Sequence, residues 1–214
     1  MVIDICTNTF TFDDKMWITI RKLLFRPGFL SKEYVSGRIV PYTLPIKILW
    51  IAVLVFTVVF SFYDTVPVQL IKEGIETRSV ISDYFQYLPY FMLLIIPIFT
   101  ALLMLFFRKE RYAFSEHLVF AIHLHTIIFF LFTIEILVST YLLDEGLCLL
   151  IFLLFIGLYT FWSAIKFYHT RRKRSVIWRM LLIGLLYFII SFILLTGIMI
   201  FISWYFGINT INIG

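Results

Sequence analysis

The chain has 214 residues, of which 62% are hydrophobic and 20% aromatic, with only 14% charged. Water-soluble domains are about 45–50% apolar and about 25% charged, so a soluble globular fold is excluded and a polytopic membrane protein is indicated. The net charge of +5 would suggest nucleic acid in a soluble protein, but its distribution here points to membrane surfaces, and no nucleic-acid partner is expected.

The chain begins with a polar stretch in which "TFDDKMWITIRKLLFRPGF" predicts a helix. Thr11 can cap it, and Asp13 and Asp14 occupy a first turn where the helix dipole favours acids. Met16, Trp17, Ile20, Leu23 and Leu24 recur on one face, with Lys15, Thr19, Arg21 and Lys22 opposite. Pro27-Gly28 ends the run. Such a helix suits the cytoplasmic membrane interface, or the end of a helix bundle, or both. The first long apolar run starts only at Ile46, after a charged segment too long for a leader peptide, so an uncleaved anchor is expected.

A bilayer core of about 30 Å needs about 20 apolar residues at 1.5 Å per residue. Five segments qualify, at about 46–62, 88–107, 117–138, 147–167 and 177–206. The second carries Pro97 in mid-span, which predicts a kink and a freed carbonyl. The last is long enough to tilt, or to bend near Gly197. The one long connection, Tyr63 to Gln86, mixes acids with Val68, Leu70 and Ile71 and predicts a short surface helix.

Lysine and arginine positions set the orientation. Seven (Lys15, Arg21, Lys22, Arg26, Lys32, Arg38, Lys47) precede or open span one, three (Arg108, Lys109, Arg111) follow span two, and six (Lys166, Arg171, Arg172, Lys173, Arg174, Arg179) surround the connection between spans four and five. Only Lys72 and Arg78 fall on the opposite side. The N-terminus is therefore expected in the cytoplasm and the C-terminus outside. Cys6 and Cys148 then lie on opposite sides, and no CxxC pair exists.

Span three opens with "SEHLVFAIHLHTIIFFLF", from Ser115 to Phe132. Ser115, Glu116 and His117 stand at its mouth, where polar groups cost little; Ser115 can cap, and Glu116 suits a first turn. His123 and His125 lie roughly 9–13 Å deeper and need partners, because ionisable groups inside a membrane are expensive and default to the bundle interior. At about 100° per residue, Glu116 and His123 share a face while His125 lies on the opposite side. One helix therefore cannot aim Glu116, His117, His123 and His125 at a single ion. A metal site would need ligands from elsewhere: Glu135 shares the face of His117 but lies about 27 Å away, and His169 could approach His117. Whether a metal ion is bound stays open, with those four span-three residues as its candidates. The alternatives are hydrogen bonds to neighbouring helices or to the carbonyl freed by Pro97, or a proton or substrate relay. No serine-histidine-acid set or nucleotide loop is present, so no catalytic residue is assigned.

Gly157, Thr160 and Ala164 offer small-residue spacing for close helix approach. Trp50, Trp162, Trp178 and Trp204 stand toward span ends, as aromatic belts do. Arg171, Arg172, Lys173 and Arg174 form a basic turn suited to anionic headgroups of the cytoplasmic leaflet. Gly28 and Gly37 predict tight turns that leave Tyr34 and Arg38 at headgroup level, for lipid or partner contact.

The Arg26-Pro27-Gly28 turn, the Tyr34-x-x-Gly37-Arg38 step, and Pro97, Tyr112, Glu116, His117, His123 and His125 resemble an uncharacterised bacterial polytopic membrane family, a domain of unknown function. Members often carry an N-terminal zinc ribbon; with only Cys6 in that region, no ribbon zinc is expected here. The five-span layout is also similar in topology to Yip-type proteins that bind small GTPases.

The expectation is an all-α integral membrane bundle of five transmembrane helices with an N-terminal amphipathic interfacial helix, N-in and C-out. Residues 1–43 would form the cytoplasmic segment and 44–214 the membrane domain. The bacterial inner membrane is its expected place, with a non-enzymatic accessory or scaffold role beside lipids and a membrane protein partner. A metal-dependent membrane enzyme built on the span-three cluster and a small transporter or channel are the alternatives.

Overall fold

A computed structural model of the chain describes residues 14–65, 88–141, 145–168 and 172–205. Cys6, Thr11, the surface helix expected in the long connection, His169 and Arg171 lie outside them. Every regular element among the described residues is a helix.

Helix α1 (Asp14–Phe25) ends because Pro27 has no N–H to continue it. Gly28 then turns at φ 72° and leads into the seven-residue α2, Phe29–Val35. Gly37, at φ 77°, closes α2: its amide donates to the Tyr34 carbonyl at 3.0 Å and the Arg38 amide to the Glu33 carbonyl at 2.9 Å. That pair of bonds is the Schellman arrangement, which needs a left-handed residue and so selects glycine. Both expected tight turns are present.

Among the described residues, five helical segments follow that are long and apolar enough to cross a membrane: Pro45–Phe62, Pro89–Phe106, Phe114–Ser139, Gly146–Phe167 and Lys173–Ile198. They belong to α3 (Pro45–Thr65), the pair α4 (Leu88–Leu94) and α5 (Ile96–Phe106), α6 (Phe114–Tyr141), α7 (Glu145–Phe167) and α8 (Lys173–Tyr205). The second is interrupted at Ile95, two residues before Pro97, which cannot donate to the Leu93 carbonyl. The last runs unbroken through Gly197.

Helix α6 is the axle of the bundle. It packs against α2, α3, α5 and α7, and 56% of its apolar segment is buried, against 6% for α8. Phe120, Ala121, Ile127 and Phe129 of α6 are all at most 1% exposed. Helix α8 instead presents Leu185, Phe188, Phe192 and Phe201 outward, a surface that hydrocarbon chains cover without penalty. Within the spans, Thr57, Thr100, Thr126, Thr133 and Thr196 donate to carbonyls four residues back. That arrangement lets a hydroxyl enter an apolar helix without a partner from elsewhere.

One expected face is revised. Helix α1 packs onto the bundle through Met16, Thr19 and Leu23, while Trp17 and Phe25 point outward and are 66% and 77% exposed. Thr19, assigned to the polar face by its chemistry, is fully buried. Its hydroxyl donates to the Lys15 carbonyl at 2.6 Å and accepts from the Thr43 amide at 2.9 Å. With both hydrogen-bonding roles met, the hydroxyl loses its reason to face water.

Candidate functional site

The turn before α6 gathers several elements at one end of the bundle, the end that carries Arg108, Lys109, Arg111 and Lys173. Helix α6 begins at Phe114, so Ser115 is two residues too late to cap it. Glu116 does so, its Oε2 accepting from the Ala113 amide at 2.6 Å; this is the third-position half of a capping box. The Glu116 carboxylate is thereby committed to holding the helix start.

The three histidines meet three different neighbours. His117 Nδ1 lies 2.8 Å from the Tyr168 hydroxyl, at the end of α7. Around it Tyr168 stacks on Phe107 with ring centroids 3.7 Å apart, Tyr112 stacks on Phe167 and Phe120 packs on Phe167. Arg179 of α8 lies over Phe107 and stands 3.8 Å from Glu110. That separation makes an ion pair rather than a hydrogen bond, and among the described residues Nη1 of Arg179 has no hydrogen-bond partner.

His125, on the far face, donates or accepts at both ring nitrogens. Nδ1 is 2.8 Å from the Ala121 carbonyl, four residues back, and Nε2 is 2.9 Å from the Tyr187 hydroxyl of α8. The Ala121 carbonyl can only accept, so Nδ1 carries the proton and Nε2 accepts from Tyr187. Phe99 closes this pair edge-on, 5.3 Å from His125 and 5.0 Å from Tyr187.

His123 faces the N-terminal arm made by α1 and α2. Its Nδ1 is 3.0 Å from Ser31 Oγ of α2, and Tyr34 packs edge-on against its ring at 5.4 Å. Leu30 and Ser31 are 1% and 2% exposed, so α2 is seated between α6 and α7 instead of lying on the surface. A second tie explains why α1 stops where it does. Pro27, four residues after Leu23, leaves the Leu23 carbonyl without its helical donor, and the Tyr159 hydroxyl of α7 donates to it instead. Close approach is allowed by Gly28: a Cβ there would stand 2.5 Å from the Ser163 carbonyl oxygen and 3.1 Å from Lys166 Cβ. The small residue that admits contact is thus in the arm. Ala164 is fully buried, whereas the space around Gly157 is open to 4 Å.

Tyr34 donates its hydroxyl to the Thr43 carbonyl, and burial pushes its phenol up to about 12. Arg38 donates Nε and Nη2 to Glu33, at 2.9 and 2.6 Å, and this hydrogen bonding holds the Glu33 carboxyl below its ordinary value. Arg172, Lys173 and Arg174 stand exposed at the start of α8. Trp17, Trp50, Trp162 and Trp178 also point outward. Among the described residues no three His, Cys, Asp or Glu side chains come together as a metal-binding group. Cys148 is buried, with its sulfur 3.8 Å from the Glu135 carbonyl.

The comparison with known families falls on the arm. Residues 13–57 match the model of a family described as a protein of unknown function (DUF3667). The match takes in α1, α2 and the first part of α3, including Gly28, Ser31, Tyr34 and Gly37, and ends before the helix that carries the histidines. No curated protein and no solved structure matches the chain.

Ser31, Tyr159, Ser163, Tyr168 and Tyr187 are the residues that sequence reasoning missed. The tyrosines had one usable signal: a phenol inside an apolar span needs an acceptor, and buried histidines are obvious ones.

Proposed function

We propose that the protein is a non-enzymatic accessory or scaffold protein of the bacterial inner membrane, oriented with its basic end in the cytoplasm. One observation carries the reading: Glu116 and the three histidines of α6 each hold a helix start or a neighbouring element. Glu116 caps its own helix, while His117, His123 and His125 take Tyr168, Ser31 and Tyr187. Groups tied one to one across helix contacts give the bundle a defined shape.

The outer surface supports a docking role. The exposed basic residues Arg172, Lys173 and Arg174 and the outward tryptophans suit the headgroup layer of an anionic leaflet. A membrane protein partner would meet this end, against the seated arm.

Crosslinking in native membranes followed by purification tests the proposal. A defined partner should co-purify through the basic end, and Arg172→Glu with Arg174→Glu should weaken the capture. A monomer that turns over a substrate would overturn it. Stoichiometric metal lost on His123→Ala would transfer the site to a metal-dependent enzyme, and substrate flux in liposomes abolished by His123→Phe would make it a transporter.

A further inference from the structure

Between α2, α6 and α7 lies a small cavity of about 10 Å³, lined in part by Gly28, Ser31, His123, Tyr159 and Ser163. We propose that this cavity is a binding site for one water molecule, which bridges His123 Nε2 to Ser163 Oγ and completes the seat of the N-terminal arm.

The polar atoms around the cavity call for such a bridge. His123 and Ser163 are 3% and 2% exposed, yet among the described residues His123 Nε2 and Ser163 Oγ have no hydrogen-bond partner. Buried polar groups almost always find one, in protein or in ordered water. The His123 ring cannot turn away to find another, because Nδ1 is held by Ser31 and Tyr34 packs edge-on against the ring. Ser163 Oγ interacts with the Tyr159 hydroxyl without reaching hydrogen-bond geometry, and that hydroxyl donates to Leu23.

Size and chemistry select the occupant. A cavity of roughly 10–15 Å³ is what one water needs, and it needs two to four polar partners. A water can donate or accept at Nε2, so it suits either tautomer that the Ser31 contact imposes on His123. A metal ion would find one imidazole and hydroxyls, too few ligands of the right kind. Bulkier ligands do not fit. The water thus sits where the arm meets two spans, and the fit of α2 depends on it.

Radiolytic hydroxyl labelling of the full chain in nanodiscs, read by mass spectrometry, tests this directly, because bound water marks the side chains beside it. Label is expected on His123 or Tyr159 well above that on Phe129, which is equally buried but lies away from the cavity. Ser163→Val fills the space and should erase the label. It should also lower the apparent Tm by roughly 2–8 °C, since it leaves Nε2 of His123 unpaired. Labelling no higher than at Phe129 would overturn the proposal. So would a Ser163→Val protein as stable as the native one or more so, the outcome of filling a dry void. Should that variant fail to insert, the native labelling pattern still decides.

Discussion

Replacing Gly28 by alanine asks two things of the arm at once. The residue holds φ 72°, a left-handed conformation that costs an L-residue about 1–2 kcal/mol. The new Cβ would also stand 2.5 Å from the Ser163 carbonyl oxygen and 3.2 Å from its carbon. Both are backbone atoms of a packed helix, so the arm must give way, and overpacking of this kind costs about 1–3 kcal/mol. Gly37→Ala is the matched control: φ is 77° and nothing lies within 4 Å of its Cβ, so only the backbone part of about 1–2 kcal/mol applies. Gly28→Ala should therefore lose about 2–5 kcal/mol in all. Unfolding midpoints in detergent measure the difference, and hydrogen exchange of residues 29–35 locates it. Exchange in α2 should rise sharply for Gly28→Ala and little for Gly37→Ala. Equal losses in the two variants would refute the close seating of α2 on α7.

Three further outcomes follow from single contacts. Tyr159→Phe leaves the Leu23 carbonyl buried without a donor and should cost about 1–3 kcal/mol, seen as faster exchange at the end of α1; an unchanged midpoint would show that the carbonyl finds another donor. A double-mutant cycle on His125→Leu and Tyr187→Phe should give a coupling near 0.6 kcal/mol and no more than about 1.7, as interhelical bonds in membranes do, and zero coupling would place the two side chains apart. The Glu33–Arg38 pair lowers the Glu33 pKa in the folded protein, so its support is present above the ordinary carboxylate range and is lost as pH falls through the lowered value. Native protein and Glu33→Gln should differ at neutral pH in exchange of the α2 C-terminus and converge in acid; a constant difference across that range would remove the pair from the account.

How far the candidate site was legible depends on what each residue's position requires. The angular argument on α6 separated His123 from His125 correctly, because 3.6 residues per turn is a property of the helix itself. It could not say that His123 meets Ser31, 92 positions away in the chain, or that Tyr168, beside the expected His169, reaches His117. Those pairings depend on which helices become neighbours. Thr19 was misplaced for a related reason: polarity predicts exposure only where the hydroxyl lacks partners, and here Lys15 and Thr43 supply them.

The amino-acid sequence by itself determined the all-helical class, the five apolar segments, the break near Pro97 and the turns at Gly28 and Gly37. Each follows from a local demand: a helix must satisfy its own backbone in lipid, proline lacks an amide, and a left-handed turn penalises a Cβ. Tertiary structure alone decided that the arm is seated within the bundle end, that Pro27 hands the Leu23 carbonyl to Tyr159, and that three histidines on one helix hold three different neighbours. Such choices rest on contacts between distant segments, and apolar spans that all look alike to lipid carry little record of which of them will touch.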